Sequence, residues 1–273
     1  MKNEMRLEYK YLIPVSRFEQ IKREMLPYLK LDEYADRKDK KEYTVRSIYF
    51  DTPEWQYYVD KVEGLKDRKK LRVRGYNDSF GESIIFLEIK RKNQNFISKN
   101  RSPLLYGDLP KILETGNAKA YMLNPGSNGR SLDDAEKFLY YYTNDHLSPT
   151  ILITYEREPF YYKFDKNLRI TFDKDLRFLS FPEYDDLFEE EHLQKVPANT
   201  VILEIKFTCS FPSWLQDILT RYNLQRRPVS KYTICIDQDR KINPLNRHKN
   251  LVIPGLLMTQ KINQAKRRYA SGF

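Results

Sequence analysis

Arg72 and Arg74 stand two residues apart in the run from Arg68 to Tyr76, and Glu88, Lys90 and Lys92 stand two apart in the run from Ile84 to Lys92. Side chains of an extended strand alternate faces with a period of two, so each set shares one face. Leu71, Val73, Leu87 and Ile89 take the opposite face. Asn77-Asp78-Ser79-Phe80-Gly81 between the runs carries turn chemistry, including a glycine able to take positive φ. The two runs therefore read as a hairpin. Alone, it would present an ordinary solvated face. The pattern is not alone.

Glu8 and Lys10 lie two apart in Arg6 to Tyr11, and Glu204 and Lys206 do so in Val201 to Phe207. Tyr155 and Arg157 share a face in the run from Ile151, as do Arg169, Thr171 and Asp173 in the run from Leu168. Six strands thus carry an ionic stripe, mostly cationic, with carboxylates two residues from a lysine. A sheet curled with these stripes inward makes a basic, water-filled channel. Such a channel suits a polyanion, with Glu8, Glu88 and Glu204 available to a divalent cation. The plainer alternative stays open for each: an ion-pair partner for a neighbouring lysine. Lys61, Lys99 and Arg101 are further cations that period-two spacing allows on the same lining.

Other elements must position these stripes. Residues 6–13 read as a strand closed by Pro14, with Ser16 as N-cap of a helix to about Leu29. Charged residues 32–42 read as a loop and 43–50 as a strand. Asp51-Thr52-Pro53 then starts a short helix to about Lys61. Residues 96–105 make one more strand. Residues 107–146 read as a helical insertion broken at 124–129. Strands at 150–164 and 168–179 follow, then an acidic loop at 181–198 and a strand at 200–208. Helices from Trp214 and from about Lys231 lead to a basic tail at 241–273, beyond a domain expected over 1–240.

The chain has 273 residues, ample for a sizeable core, and a formal charge of +10. That charge points to an anionic partner: nucleic acid, a phosphate-rich small molecule or an acidic membrane surface. Cys209 and Cys235 have no zinc-site spacing and read as reduced thiols, which suits the cytoplasm. The N-terminus shows no signal-peptide core, and no apolar run is long enough for a transmembrane helix. No membrane-protein partner is identified. The basic residues are not interleaved with aromatics on one strand face, which argues against RNA. His146, His192 and His248 fall at helix ends or in loops, away from any nucleophile pair.

Seven short motifs occur in one order: Arg6-x-Glu8-x-Lys10-Tyr11, Ser47-Ile48-Tyr49-Phe50-Asp51, Leu71-Arg72-Val73-Arg74, Leu87-Glu88-Ile89-Lys90, Leu168-Arg169-Ile170-Thr171-Phe172-Asp173, Leu203-Glu204-Ile205-Lys206 and Val229-Ser230-Lys231-Tyr232. In that order they resemble the VTC domain, the polyphosphate polymerase module of the vacuolar transporter chaperone, in the triphosphate tunnel metalloenzyme superfamily. The resemblance spans residues 5 to 240. It implies an α+β fold, a closed antiparallel β-barrel of about eight strands with peripheral helices. It implies Mn²⁺ or Mg²⁺ as cofactor and ATP or another nucleoside triphosphate as donor, whose γ-phosphate passes to a polyphosphate chain. Arg6, Lys10, Arg72, Arg74, Lys90, Arg157, Arg169, Lys206 and Lys231 fall on its phosphate-binding positions. Of these, Arg72, Arg74, Lys90, Arg157, Lys206 and Lys231 are the expected catalytic cations. Tyr155 and Ser230 fall on polar positions that help hold the phosphates, and Glu204 on the metal-ligand position. The related CYTH hydrolases begin Glu-x-Glu-x-Lys, and Arg6 replaces the first of those carboxylates.

Phosphoryl transfer fits such a lining because it needs charge stabilisation and in-line positioning rather than a protein nucleophile. Arginine grips phosphate bidentately, lysine acts as a movable point charge, and carboxylate oxygen suits Mg²⁺ or Mn²⁺. Two alternatives accompany the polymerase. One is a metal-dependent triphosphatase with water as acceptor. The other is a non-catalytic module that only binds polyphosphate or another polyanion.

Overall fold

The structure, a computed structural model, describes residues 7–78, 82–93, 96–123, 130–197, 199–208, 211–239 and 241–242. Its strands are β1 (Leu7–Pro14), β2 (Leu29–Leu31), β3 (Tyr43–Asp51), β4 (Asp67–Tyr76), β5 (Ile84–Asn93), β6 (Phe96–Leu105), β7 (Ser148–Tyr162), β8 (Asp165–Ser180), β9 (Gln194–Lys195) and β10 (Thr200–Phe207). Its helices are α1 (Val15–Met25), α2 (Glu33–Asp36), α3 (Gln56–Val62), α4 (Leu109–Thr115), α5 (Ala118–Tyr121), α6 (Arg130–Asn144), α7 (Ser213–Arg221) and α8 (Lys231–Gln238). The strands form one ten-stranded sheet in the order β1-β10-β8-β7-β3-β4-β5-β6, with β2 paired to β7 and β9 to β8.

The closed barrel expected from the resemblance is not what forms: the sheet is open, with β1 and β6 at the ends of the path. Both end strands give some of their outer hydrogen-bonding groups to other segments of the same chain. On β6, the Arg101 amide donates to Asp134 of α6 at 3.0 Å, the Pro103 carbonyl accepts from the Leu123 amide at 3.1 Å, and Leu104 bridges to Met122. On β1, the Lys10 carbonyl accepts from the Arg227 amide at 2.9 Å. Covering an edge with a helix or loop satisfies the groups that closure would have paired. The architecture is α+β with an open antiparallel sheet.

The chain divides into two compact units. The first comprises residues 1–45, 154–177 and 194–230. Its core interleaves the odd positions of β1 and β10 with the even positions of β8, and α1 and α7 pack there through Phe18, Ile21, Met25, Leu215 and Ile218. Helix α1 starts two residues earlier than expected, with Pro14 rather than Ser16 at the cap position. Proline's fixed φ suits the strand-to-helix corner, and the Val15 amide donates to the Asn199 carbonyl at 2.9 Å. The helix ends at Met25 because Pro27 cannot continue it. Leu29–Leu31 then leaves the expected helix altogether and pairs with β7. The expected loop at 32–42 contains the single turn α2, capped by Asp32, which accepts the Tyr34 amide at 3.0 Å.

The second unit comprises residues 46–153, 178–193 and 231–273. Its core joins Ile48, Phe50, Leu71, Val73, Ile85, Leu87 and Ile89 of the sheet to Phe138 and Leu139 of α6. Gly75 of β4 lies under Phe188, where a Cβ would stand 2.6 Å from Cζ. Asp51 does not open α3 as the sequence suggests. It ends β3, and its carboxylate accepts the amides of Thr52, Tyr57 and Tyr58 and the hydroxyl of Tyr232. Burial pushes its pKa up to about 6 in spite of those hydrogen bonds. Trp55, at φ 61°, makes the left-handed turn into α3.

Candidate anion and metal site

In the first unit the candidate residues gather on one face of β1, β10, β8 and β7. Register places Glu8 opposite Lys206 and Lys10 opposite Glu204 on β1 and β10. It places Glu204 opposite Thr171 and Lys206 opposite Arg169 on β10 and β8. Directly opposite residues of an antiparallel pair point to the same side, so the stripes align. Lys10 Nζ stands 3.1 Å from Glu8 Oε1, 3.4 Å from Glu204 Oε2 and 3.3 Å from the Val229 carbonyl. Lys206 pairs with Glu204 and stands 3.9 Å from Glu8 Oε2. Burial works against the Lys10 charge, but Glu204 and Glu8 outweigh it and hold the ammonium well above its ordinary value.

Next along the sheet, Arg157 grips Asp173 bidentately, with Nε to Oδ1 at 2.6 Å and Nη2 to Oδ2 at 2.7 Å. Its guanidinium lies 5.3 Å from the buried Tyr155 ring. Arg169 stands 3.6 Å from Asp32 Oδ2 and 5.3 Å from the Tyr161 ring. Asp175, at φ 49°, interrupts the alternation of β8, and beyond it Arg177 turns to Glu156 on the other face. The ionic stripe of β8 therefore ends at Asp173.

In the second unit the candidate residues gather around Glu88, which is 1% exposed. Arg72 donates to Glu88 Oε2 through Nε at 2.8 Å and Nη2 at 2.6 Å, and to the Tyr49 hydroxyl through Nη1 at 2.8 Å. Arg74 donates to Ser47 Oγ at 3.1 Å and lies 3.9 Å from Glu88. From β6, Lys99 Nζ stands 2.6 Å and Arg101 Nε 3.3 Å from Glu88 Oε1. The Arg101 guanidinium stacks 3.5 Å from the Phe86 ring. Lys90 sits between Lys70 and Lys99 in the strand register. Burial works against the Glu88 charge, but Arg72, Arg74 and Lys99 outweigh it and hold its carboxyl well below the usual range. Burial likewise opposes a Tyr49 phenolate, yet Arg72 and Arg74 pull its pKa below the ordinary value.

Ser230 is buried, and Lys231 opens α8. Arg6 lies outside the described residues, as do His248, Cys209 and residues 243–273. Sequence reasoning left out Asp173, Asp32, Tyr49 and Ser47 as partners of the cations. Period-two spacing put Asp173 on the right face, and Ser47 and Tyr49 share the alternation of β3, so the signal was present for three of the four. Asp32 comes from a loop turn and carries none.

The two sets differ in charge. In the first unit, Lys10 and Lys206 face two carboxylates, and Arg157 and Arg169 have one each. In the second, four cations surround one carboxylate. Among the described residues no three His, Cys, Asp or Glu side chains converge as a metal cage. Mg²⁺ is commonly held by one or two carboxylates plus substrate phosphates, so the Glu8–Glu204 pair fits such an ion. Glu88, whose oxygens both face cations, fits a counter-ion better.

Lys99 makes the second set sensitive to pH. Partial desolvation, with Arg72 and Arg74 beside it, pushes its pKa down to about 8 against the pull of Glu88, although the side chain is still 45% exposed. A bound anion favours the ammonium, so above pH 8 binding must take up a proton. ATP affinity without metal is therefore expected to fall as pH rises through about 8, by up to roughly tenfold per pH unit for one proton. Calorimetric titration of ATP, whose phosphates are by then fully ionised, checks this. Lys99→Met should weaken binding at pH 7 and flatten the profile, and an unchanged inflection would sink the assignment.

An open antiparallel α+β sheet with an ion-paired set of side chains in each unit, cation-rich in the second, is the class these features define. The chain belongs to the VTC domain family: that family's model matches residues 5–238. No curated protein matches the chain in sequence. Among solved structures, the putative adenylyl cyclase HpAC1 from Hippeastrum, described as having a dominant triphosphatase activity, is similar at 13% identity and TM-score 0.39, over 89% of this chain and 100% of that one. The Mimivirus capping enzyme triphosphatase is similar at 11% identity and TM-score 0.35, over 81% and 90%. Likeness at these scores carries no argument about the reaction. No helix among the described residues is long and apolar enough to cross a membrane.

Proposed function

We propose that this protein is a metal-dependent phosphotransferase that moves the γ-phosphoryl group of ATP onto a polyphosphate chain. The observation that carries the reading is the alternating Glu8–Lys10–Glu204–Lys206 quartet, flanked by Arg157 and Arg169 on the adjoining strands. Membership of the VTC domain family supports it.

Glu204 and Glu8 would hold Mn²⁺ or Mg²⁺, which when bound supplies Lewis-acid polarisation of a phosphoryl oxygen. The chain's own residues do the rest. Lys10 and Lys206 are held at the carboxylates as mobile point charges that follow the phosphates. Arg157 and Arg169, oriented by Asp173 and Asp32, present fixed donors to equatorial oxygens. Arg72, Arg74 and Lys90, with Lys231 at the start of α8, supply the cation excess that a polyphosphate requires. None of this needs a covalent intermediate, in keeping with charge stabilisation and positioning as the source of rate.

The test is incubation with ATP and Mn²⁺, resolving products by ³¹P NMR. Internal-phosphate resonances of a lengthening chain, together with ADP, are expected. Free phosphate as the sole product would replace the reading with a triphosphatase. Binding without turnover would leave a polyanion-binding module.

A further inference from the structure

Two buried polar groups on the first unit's ionic face have no hydrogen-bond partner among the described residues: Thr171 Oγ1 and Arg169 Nε. Both belong to β8, two residues apart and on the same side. Thr171 is 2% exposed. It lies directly opposite Glu204, and Arg169 directly opposite Lys206. Its other neighbour at a spacing of two, Asp173, is taken by Arg157. Everything around the hydroxyl is thus ion-paired, and the hydroxyl is not.

An unsatisfied buried hydroxyl is costly, and native proteins keep few of them. A core threonine with no use for its oxygen would be better as valine. We propose that Thr171 Oγ1 and Arg169 Nε form a phosphoryl subsite, a pair of donors that take up two oxygens of one phosphate of a triphosphate or polyphosphate. This rests on the phosphate-binding reading of the face. The two residues lie roughly 7 Å apart along the strand at their Cα atoms and on the same side. The subsite sits beside Glu204, so the phosphate it holds is the one nearest the carboxylates.

Thr171→Val removes the hydroxyl and keeps the shape, and Thr171→Ser keeps the hydroxyl. Each is compared with wild type by thermal melting without ligand and by calorimetric titration with tripolyphosphate in metal-free buffer. The subsite predicts that Thr171→Val melts at or above the wild-type temperature. It also predicts about ten- to hundredfold weaker tripolyphosphate binding, with Thr171→Ser close to wild type. Wild-type affinity in Thr171→Val overturns the inference while leaving the face as a phosphate site. A lower melting temperature in Thr171→Val with little change in affinity also overturns it, by making the hydroxyl structural. A wild-type protein that does not bind tripolyphosphate removes the phosphate-binding reading and the subsite together.

Discussion

Glu204→Gln is expected to abolish metal-dependent turnover while leaving most of the affinity for polyphosphate. Glu204 is 5% exposed and shares Lys10 and Lys206 with Glu8. Glutamine keeps the shape and removes the charge, so the carboxylate pair that fits a divalent ion is halved. Both lysines then keep only Glu8, and their charge is freer to meet a phosphate. Metal-assisted charge stabilisation contributes several kcal/mol at a transition state, so the loss in kcat is on the order of 10²–10³. ATP turnover across a Mn²⁺ titration reads the first effect, and calorimetry with tripolyphosphate in chelator reads the second. Turnover within tenfold of wild type at saturating Mn²⁺ would remove Glu204 from the metal site. A parallel collapse of metal-free affinity would make it a structural partner of the lysines instead.

The second large effect is on stability. Glu88→Gln is expected to destabilise the protein by about 3–5 kcal/mol, because removing one partner of a buried ion cluster leaves the others uncompensated. Arg72 and Arg74 are the most buried of the four cations around it and lose the most. For a chain of this size the loss is roughly 10 °C in melting temperature. The pH sign follows from the depressed carboxyl of Glu88. Its contribution is present above the unfolded carboxylate pKa and is lost only as pH falls toward the much lower folded value. The deficit of the variant should accordingly be full at pH 7 and shrink in strong acid. Tripolyphosphate should restore part of the melting temperature, since it supplies the missing negative charge, and the Mn²⁺ requirement should stay as in wild type. An unchanged melting temperature with a weakened Mn²⁺ response would instead make Glu88 a ligand. Glu88→Asp, which keeps the charge, gives a milder companion should the glutamine variant not fold.

Much of the candidate site was legible before any fold was known, because strand alternation is local geometry. Lys10 with Glu8, Lys206 with Glu204 and Arg72 with Arg74 could each be put on one face by counting in twos. The helices were less secure. The expected helix to Leu29 stopped at Met25, ahead of Pro27, and Asp51, expected to start a helix, instead ended a strand and gathered amides from six and seven residues away in addition to its neighbour's. A buried acceptor won over local turn chemistry there.

What the amino-acid order alone determined was which side chains share a face, the cationic excess, and the motif order that marks the VTC domain. Each depends on spacing along one strand or on composition. What only the tertiary structure decided was pairing. Register across strands set Glu204 between Lys10 and Thr171, gave Asp173 to Arg157, and enclosed Glu88 among four cations. The open sheet was decided in the same way. The outer groups of β6 and β1 are satisfied by α6, by residues near Met122 and by Arg227, segments remote from those strands in sequence. A hydrogen bond between distant segments depends on where the whole chain travels, and no local pattern encodes it.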